Sequence, residues 1–126
     1  MRRSQAGFTM IEVMVAMLLT AIAIIGILAL FMTQTKASGY SRHTTEATTL
    51  AEDKIEKLRT MGAAATGSGS DLLIDEKGSN AGSGLYNRYW NEYVYTGSDY
   101  ADIITTVQWF EDGYQKSVTL RGRRSL

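Results

Sequence analysis

The chain has 126 residues, about the size of one ordinary domain, which argues against a multidomain enzyme. Its 13 basic and 13 acidic side chains balance, so the net charge does not point to a polyanionic partner such as nucleic acid. The absence of cysteine excludes a disulfide, a thiolate metal site and a cysteine nucleophile.

The N-terminal segment is almost continuously apolar and contains one acid. Residues 13–32 form a run that, as a helix rising about 1.5 Å per residue, would span roughly 30 Å of hydrocarbon. Arg2 and Arg3 precede the run and the next cation is Lys36, so the positive-inside rule predicts a cytoplasmic N-terminus. An ionisable residue at membrane depth is costly, and Glu12 is therefore a candidate functional residue.

The stretch GFTMIEV, residues 7–13, follows a short basic leader and opens the apolar segment. This order resembles the class III leader of type IV prepilins and type II secretion pseudopilins. The resemblance implies that prepilin peptidase cleaves between Gly7 and Phe8 and that the new amino group of Phe8 is methylated. It also implies that Glu12, together with Thr9 of the same motif, serves subunit assembly by pairing with the N-terminal amine of a neighbouring subunit.

Physical chemistry supports a role in assembly for this acid. A carboxylate and an ammonium group attract each other far more strongly at low dielectric than in water, so a misplaced subunit would leave a charge unpaired. Glu12 can thus set the register between neighbouring helices. The alternative is an acid that merely reaches the nearby membrane interface.

Apolar residues continue to recur at three- and four-residue intervals beyond the membrane segment, which predicts an amphipathic extension of the same helix. The helix should end near Gly62, where a glycine-rich stretch begins. Charged pairs such as Asp53 with Lys57 and Glu56 with Arg59 are spaced for surface ion pairs rather than catalysis. The apolar positions are Ala37, Tyr40, Ala47, Leu50, Ala51, Ile55, Leu58 and Met61.

The segment after the helix is predicted to be a solvated connection. The stretch DLLIDEKGSNAGSG, residues 71–84, contains acids but lacks the ligand spacing of a recognised calcium loop. We therefore expect no metal site and no cofactor.

The C-terminal third predicts an antiparallel sheet, because aromatic and β-branched residues dominate it. Asp112 and Gly113 form a favoured type I′ turn, which would place Trp109 opposite Lys116. The same register pairs Glu111 with Tyr114, Val107 with Val118 and Thr105 with Leu120. It gathers Ile103, Val107, Trp109, Val118 and Leu120 on one apolar face, which should pack on the helix between Ala47 and Met61.

The predicted organisation is an α+β type IV pilin fold, with a long N-terminal helix packed on a small antiparallel sheet. Its parts are a leader peptide (1–7), a transmembrane or filament-core helix (8–36), an amphipathic helix half (37–61), a loop or linker (62–84) and an antiparallel sheet (85–126).

Three further groups of residues are candidates for function. Tyr89, Trp90 and Tyr93 belong to a dense aromatic cluster that could be a partner surface or could be packing within the sheet. His43, the only histidine, is expected at the surface and without a catalytic role. The arginines near the C-terminus, Arg121, Arg123 and Arg124, are expected to form a solvated end rather than a nucleic-acid site.

The sequences of the predicted sheet and of the helix end resemble more specifically those of PilV-type minor pilins. In that group a V-x-W strand, a turn with glycine and an S-V-x-L strand recur. This resemblance implies a structural subunit that helps to prime or cap a type IV pilus and so supports adhesion and twitching motility. Expected partners are prepilin peptidase, the assembly platform, the major pilin, other minor pilins and a tip adhesin. The alternatives are a minor pseudopilin of a type II secretion system and a ligand- or DNA-binding pilin.

Overall fold

The computed structural model describes residues 7–61, 67–80 and 82–126. Within them lie one helix and four strands, and the chain divides into two compact units, residues 1–39 and 40–126. The elements are α1 (Met10–Thr60), β1 (Gly69–Ile74), β2 (Tyr86–Val94), β3 (Tyr100–Glu111) and β4 (Tyr114–Ser125).

The first unit consists of the apolar part of α1, and residues 7–38 are exposed throughout. The helix is long and apolar enough to cross a membrane, judged by its length and composition. An apolar helix of this kind can bury its side chains only against lipid or neighbouring helices. The apolar N-terminal helix predicted from the sequence is thus present as the first part of α1.

In the second unit, one face of α1 packs on a four-stranded antiparallel sheet with strand order β1-β2-β3-β4. Ala47 and Ala51 of α1 are fully buried against the sheet. A larger cluster surrounds Trp109 and a smaller one surrounds Ile103, with Leu120 packed against both. The α+β fold is confirmed, and the predicted helix face is buried from Ala47 to Leu58. Ala37, Tyr40 and Met61, which belong to the same predicted pattern, are exposed.

The predicted hairpin register is confirmed in every pair. Glu111 pairs with Tyr114 and Trp109 with Lys116, and the ladder continues without a shift for twelve pairs. Asp112 and Gly113 have φ angles of 51° and 79°, both in the left-handed region that a type I′ turn requires.

The segment predicted as a linker contains β1, which pairs with β2. Periodicity alone did not indicate this strand, because its apolar run does not alternate and its register shifts between Asp71 and Ile74. Two contacts stabilise it: Ile74 is fully buried and Asp71 binds the side chain of Arg88. The helix ends at Thr60, whereas the predicted glycine stop at Gly62 and most of the leader lie outside the described residues.

Candidate functional site

The motif residues lie at the start of α1, and each is accessible. Thr9 immediately precedes the first helical residue, and its carbonyl accepts hydrogen bonds from the amides of Glu12 at 3.1 Å and Val13 at 3.2 Å. Thr9 and Glu12 thus have the spacing of a capping box, in which an acid three residues after the cap faces the unpaired amides of the first turn. The carboxylate of Glu12 is also favoured there by the helix dipole.

The predicted cleavage site between Gly7 and Phe8 is unobstructed in the described chain. Phe8 is 83% exposed, and no atom lies within 4 Å of a Cβ built on Gly7. A peptide bond flanked by a glycine and lying before the first helical turn is accessible to a peptidase. The structure thus places Gly7, Phe8, Thr9 and Glu12 together at one end of the helix.

The three aromatic residues proposed as a partner surface do not share a face. Tyr89 and Tyr93 lie on the outer face of the sheet, which is the face turned away from α1, and both are exposed. Trp90 lies on the inner face, where Lys54 Nζ is 3.4 Å from its ring centroid and a Cβ on Gly69 would clash with the ring. The alternation of a strand separates Trp90 from its two neighbours in this way.

Other side chains complete the outer face near Tyr93. Its cross-strand neighbour Asp102 accepts a hydrogen bond from Arg123 Nε at 2.8 Å, and this bond holds the pKa of the carboxyl group below the usual aspartate value. The Arg123 guanidinium lies 4.1 Å from the ring centroid of Tyr100, whose ring is 6.0 Å from that of Tyr95. The result is an exposed surface of tyrosines with an ion pair within it.

The basic residues near the C-terminus are not all solvated, contrary to the sequence-based expectation. Arg124 donates from Nε to Glu92, and the two side chains are only 3% and 1% exposed. Arg123 is paired with Asp102, whereas Arg121 is exposed. Cross-strand register explains the difference, because Arg124 belongs to the inner face and Arg121 and Arg123 to the outer face.

His43 is half-buried rather than fully at the surface. It belongs to a series of hydrogen-bonded polar side chains that sequence analysis did not identify. Tyr86 donates its hydroxyl proton to Glu46, so its oxygen must accept a hydrogen bond from His43 Nδ1, 2.9 Å away. Burial, followed by the nearby Glu46 carboxylate, raises the pKa of Tyr86 well above its ordinary value. No local sequence signal connects these residues, since Tyr86 lies 40 positions from Glu46.

A second buried network joins α1 to the sheet. Arg88 donates to Asp71 from Nη2 at 2.6 Å and to the carbonyl of Leu50 from Nη1 at 2.9 Å, and Lys54 Nζ lies 3.2 Å from the same carboxylate. Burial opposes the ionisation of Asp71, but the hydrogen bonds from Arg88 and Lys54 outweigh it and lower its pKa. Through these contacts Arg88 of β2 links the backbone of α1 to Asp71 of β1.

Within the described ranges, no group of three or more histidine, aspartate or glutamate side chains is arranged to hold a metal ion. The His43 and Arg88 networks join α1 to the sheet. The buried pair of Glu92 and Arg124, in contrast, leaves Glu92 Oε2 and both Nη atoms of Arg124 without a hydrogen-bond partner among the described residues.

Comparison with known proteins places that motif in a recognised class. Residues 2–28 match the family model of the prokaryotic N-terminal methylation motif. No curated protein and no solved structure matches the chain. The motif, together with a long helix packed on an antiparallel sheet, supports a type IV pilin or pseudopilin that is a substrate of prepilin peptidase. An apolar N-terminal helix of this kind fits a membrane-anchored protein that assembles into filaments.

Proposed function

We propose that this chain is a minor pilin of a type IV pilus. Prepilin peptidase removes residues 1–7, Phe8 is methylated, and the subunit leaves the inner membrane with its N-terminal helix packed in the filament. The observation that carries the proposal is the placement of Gly7, Phe8 and Glu12 together, fully accessible, at the head of an exposed apolar helix.

The proposed assembly step uses the chemistry that cleavage creates. Removal of the leader exposes a cationic amine at Phe8, and a neighbouring subunit offers the carboxylate of Glu12. Both charges lose water when apolar helices surround them, so each requires the other. The pair thereby selects one axial position of a subunit against its neighbour.

Two features favour a scarce subunit over the bulk component of the filament. The soluble part is small, and the absence of cysteine rules out the C-terminal disulfide that many major pilins have. The residues of the central hairpin, with Val107 and Trp109 on one strand and Ser117, Val118 and Leu120 on the other, resemble the PilV-type pattern. The proposed role is priming of assembly and residence near the tip, with other minor pilins and an adhesin as partners.

Deletion of the gene tests the proposal. A minor pilin that primes assembly is needed for surface pili, so the deletion should abolish twitching and sheared pili while secretion of exoproteins continues. Loss of secretion with normal piliation would instead establish a type II pseudopilin. A pulldown of the mature protein from membranes gives a second readout, since other minor pilins should be recovered with it rather than secretion pseudopilins.

A binding function is the second candidate, and the exposed tyrosines of the outer face favour it. Substitution of Tyr93 and Tyr100 by serine should then abolish attachment while piliation stays normal. Trp90→Phe is the matched control on the inner face, because it keeps an aromatic ring beneath Lys54. If the outer-face variants lose piliation, the surface serves assembly rather than attachment.

A further inference from the structure

The free edge of β4 is an unusual feature of this sheet. β4 is the last strand in the order, and within the described part of the chain no strand pairs with its second edge. Proteins normally protect such an edge by a short strand, a proline, a bulge or charged side chains. β4 has twelve residues, no proline and an unbroken register with β3, so its cations are the protection that it carries. Cations repel a second cationic strand but attract an acidic one.

The hairpin geometry identifies the backbone groups that face outward. In a two-residue hairpin the closing pair, Glu111 and Tyr114, exchanges both backbone hydrogen bonds, and bonded and non-bonded pairs then alternate. Ser117, Thr119 and Arg121 fall at non-bonded positions, so their N–H and C=O groups point away from β3. The bond from Arg59 Nε to the carbonyl of Arg123 at 3.0 Å agrees with this alternation, because Arg123 has the same parity.

Arg59 therefore closes one end of the edge and leaves the centre open. Beside this centre lies a groove of about 660 Å³ between α1 and β4. Its apolar lining comes from Ile55 and Leu120, and the helix side carries the acids Glu52, Asp53 and Glu56. An added strand would therefore place apolar side chains in the groove and its acidic side chains on the opposite face, beside Arg121. A strand added to β4 would direct every second side chain into this groove, which is how strand addition achieves specificity.

The charges of β4 identify the kind of strand that fits. The strand has four cations and no acid. Arg123 and Arg124 are paired with Asp102 and Glu92, whereas Arg121 is exposed and takes part in none of the ion pairs among the described residues. A second copy of β4 would bring cations against cations, which disfavours self-pairing.

We propose that the open edge of β4, from Ser117 to Arg121, binds an extended acidic segment of another protein by strand addition. Backbone hydrogen bonds to Ser117, Thr119 and Arg121 supply affinity, and a carboxylate beside Arg121 selects the partner. The inference does not rest on the proposed function, since a pseudopilin with this sheet would have the same edge.

A peptide-binding experiment on the full-length protein in detergent micelles tests the proposal. The probes are two short acetylated peptides, one alternating valine with glutamate and the other valine with lysine. The glutamate peptide should bind about three- to tenfold more tightly, since an attraction replaces a repulsion at the exposed Arg121. Hydrogen exchange should slow at the amides of Ser117, Thr119 and Arg121, while the amides of Val118 and Leu120 are already protected.

Three variants make the outcome decisive. Ser117→Pro removes one outward N–H without touching the ladder to β3 and should weaken binding about tenfold, whereas Ser117→Val keeps the N–H and should bind normally. Arg121→Glu should reverse the preference and favour the lysine peptide. The proposal is overturned if neither peptide binds, if Ser117→Pro and Ser117→Val behave alike, or if protection appears on β1 instead of β4.

Discussion

Glu12 has one role in the structure and a second role in the proposed assembly. In the isolated chain it lies in the first turn of α1, where the amides and the dipole of the helix favour a negative charge. In the proposed filament it would also face the amine that the proposed cleavage creates at Phe8. The first role explains how an acid is tolerated at the edge of an apolar helix, and the second explains why it is useful there.

Glu12→Ala separates processing from assembly. The peptide bond at Gly7 and Phe8 is unaffected, so the mature chain should accumulate in the membrane at its normal mass. Without the carboxylate, the amine of the neighbouring subunit is buried unpaired, and the amount of subunit in sheared filaments should fall severalfold. Glu12→Asp, which keeps the charge, is the control; undiminished incorporation of the alanine variant would refute the assembly role.

Asp71 makes the stability of the second unit depend on pH. The folded state lowers its pKa below the unfolded value near 3.8, so folding favours the ionised form. The resulting stabilisation is fully present above the unfolded pKa and is lost as the pH falls through the folded pKa. The melting temperature in detergent should therefore drop as the pH is lowered from about 5 toward 2.

Asp71→Asn is the matched variant for that titration. It should melt at a lower temperature at neutral pH, because Arg88 and Lys54 lose their anionic partner, and its melting temperature should change less over the acidic range. Equal acid sensitivity in the two proteins would mean that another carboxyl group dominates the effect.

At the scale of the elements, a close approach between α1 and β4 depends on Gly122. A Cβ at this position would lie 2.4 Å from Cγ2 of Ile55, far inside van der Waals contact. Neighbouring Leu120 and Ile103 pack around the same isoleucine, so the helix cannot shift freely to accommodate a methyl group. The absence of a side chain at Gly122 of β4 thus leaves the space that the branched side chain of Ile55 on α1 occupies.

Gly122→Ala should lower the free energy of unfolding by about 1–3 kcal/mol, as overpacked cores do. Ile55→Ala alone should also destabilise the protein, because it opens a cavity. In the double variant the new methyl group enters that cavity, so the combined loss should be smaller than the sum of the two single losses. Urea unfolding of all four proteins measures the coupling, and simple additivity would argue against the contact.

At the scale of the whole molecule, the features set by local chemistry were predictable and those set by cross-strand register were not. The hairpin follows from Asp112 and Gly113, whose turn type fixes every pair after it. The partner of Arg124 depends on the combined register of three strands, which bring it to Glu92. The placement of His43 beside Tyr86 likewise requires helix and sheet to be packed first.

The pair formed by Glu92 and Arg124 should therefore be sensitive to a change of one partner alone. Arg124→Met leaves the Glu92 carboxylate buried without its cation, which should cost about 3–5 kcal/mol of the free energy of unfolding. Adding Glu92→Leu should recover most of that loss, because two apolar side chains replace two charges in an interior site. A double variant as unstable as Arg124→Met would show that the site needs hydrogen bonding rather than charge balance.

Besides its ladder to β3 and the packing of Val118 and Leu120 in the core, the last strand is held by two ion pairs: Arg123 to Asp102 on one face and Arg124 to Glu92 on the other. Because no sulfur takes part, the end of the chain can close as soon as β3 and β4 meet, without an oxidant or an isomerase. Folding of this chain then does not depend on the redox state of its compartment. Cells that have lost periplasmic disulfide formation should still produce it in folded form.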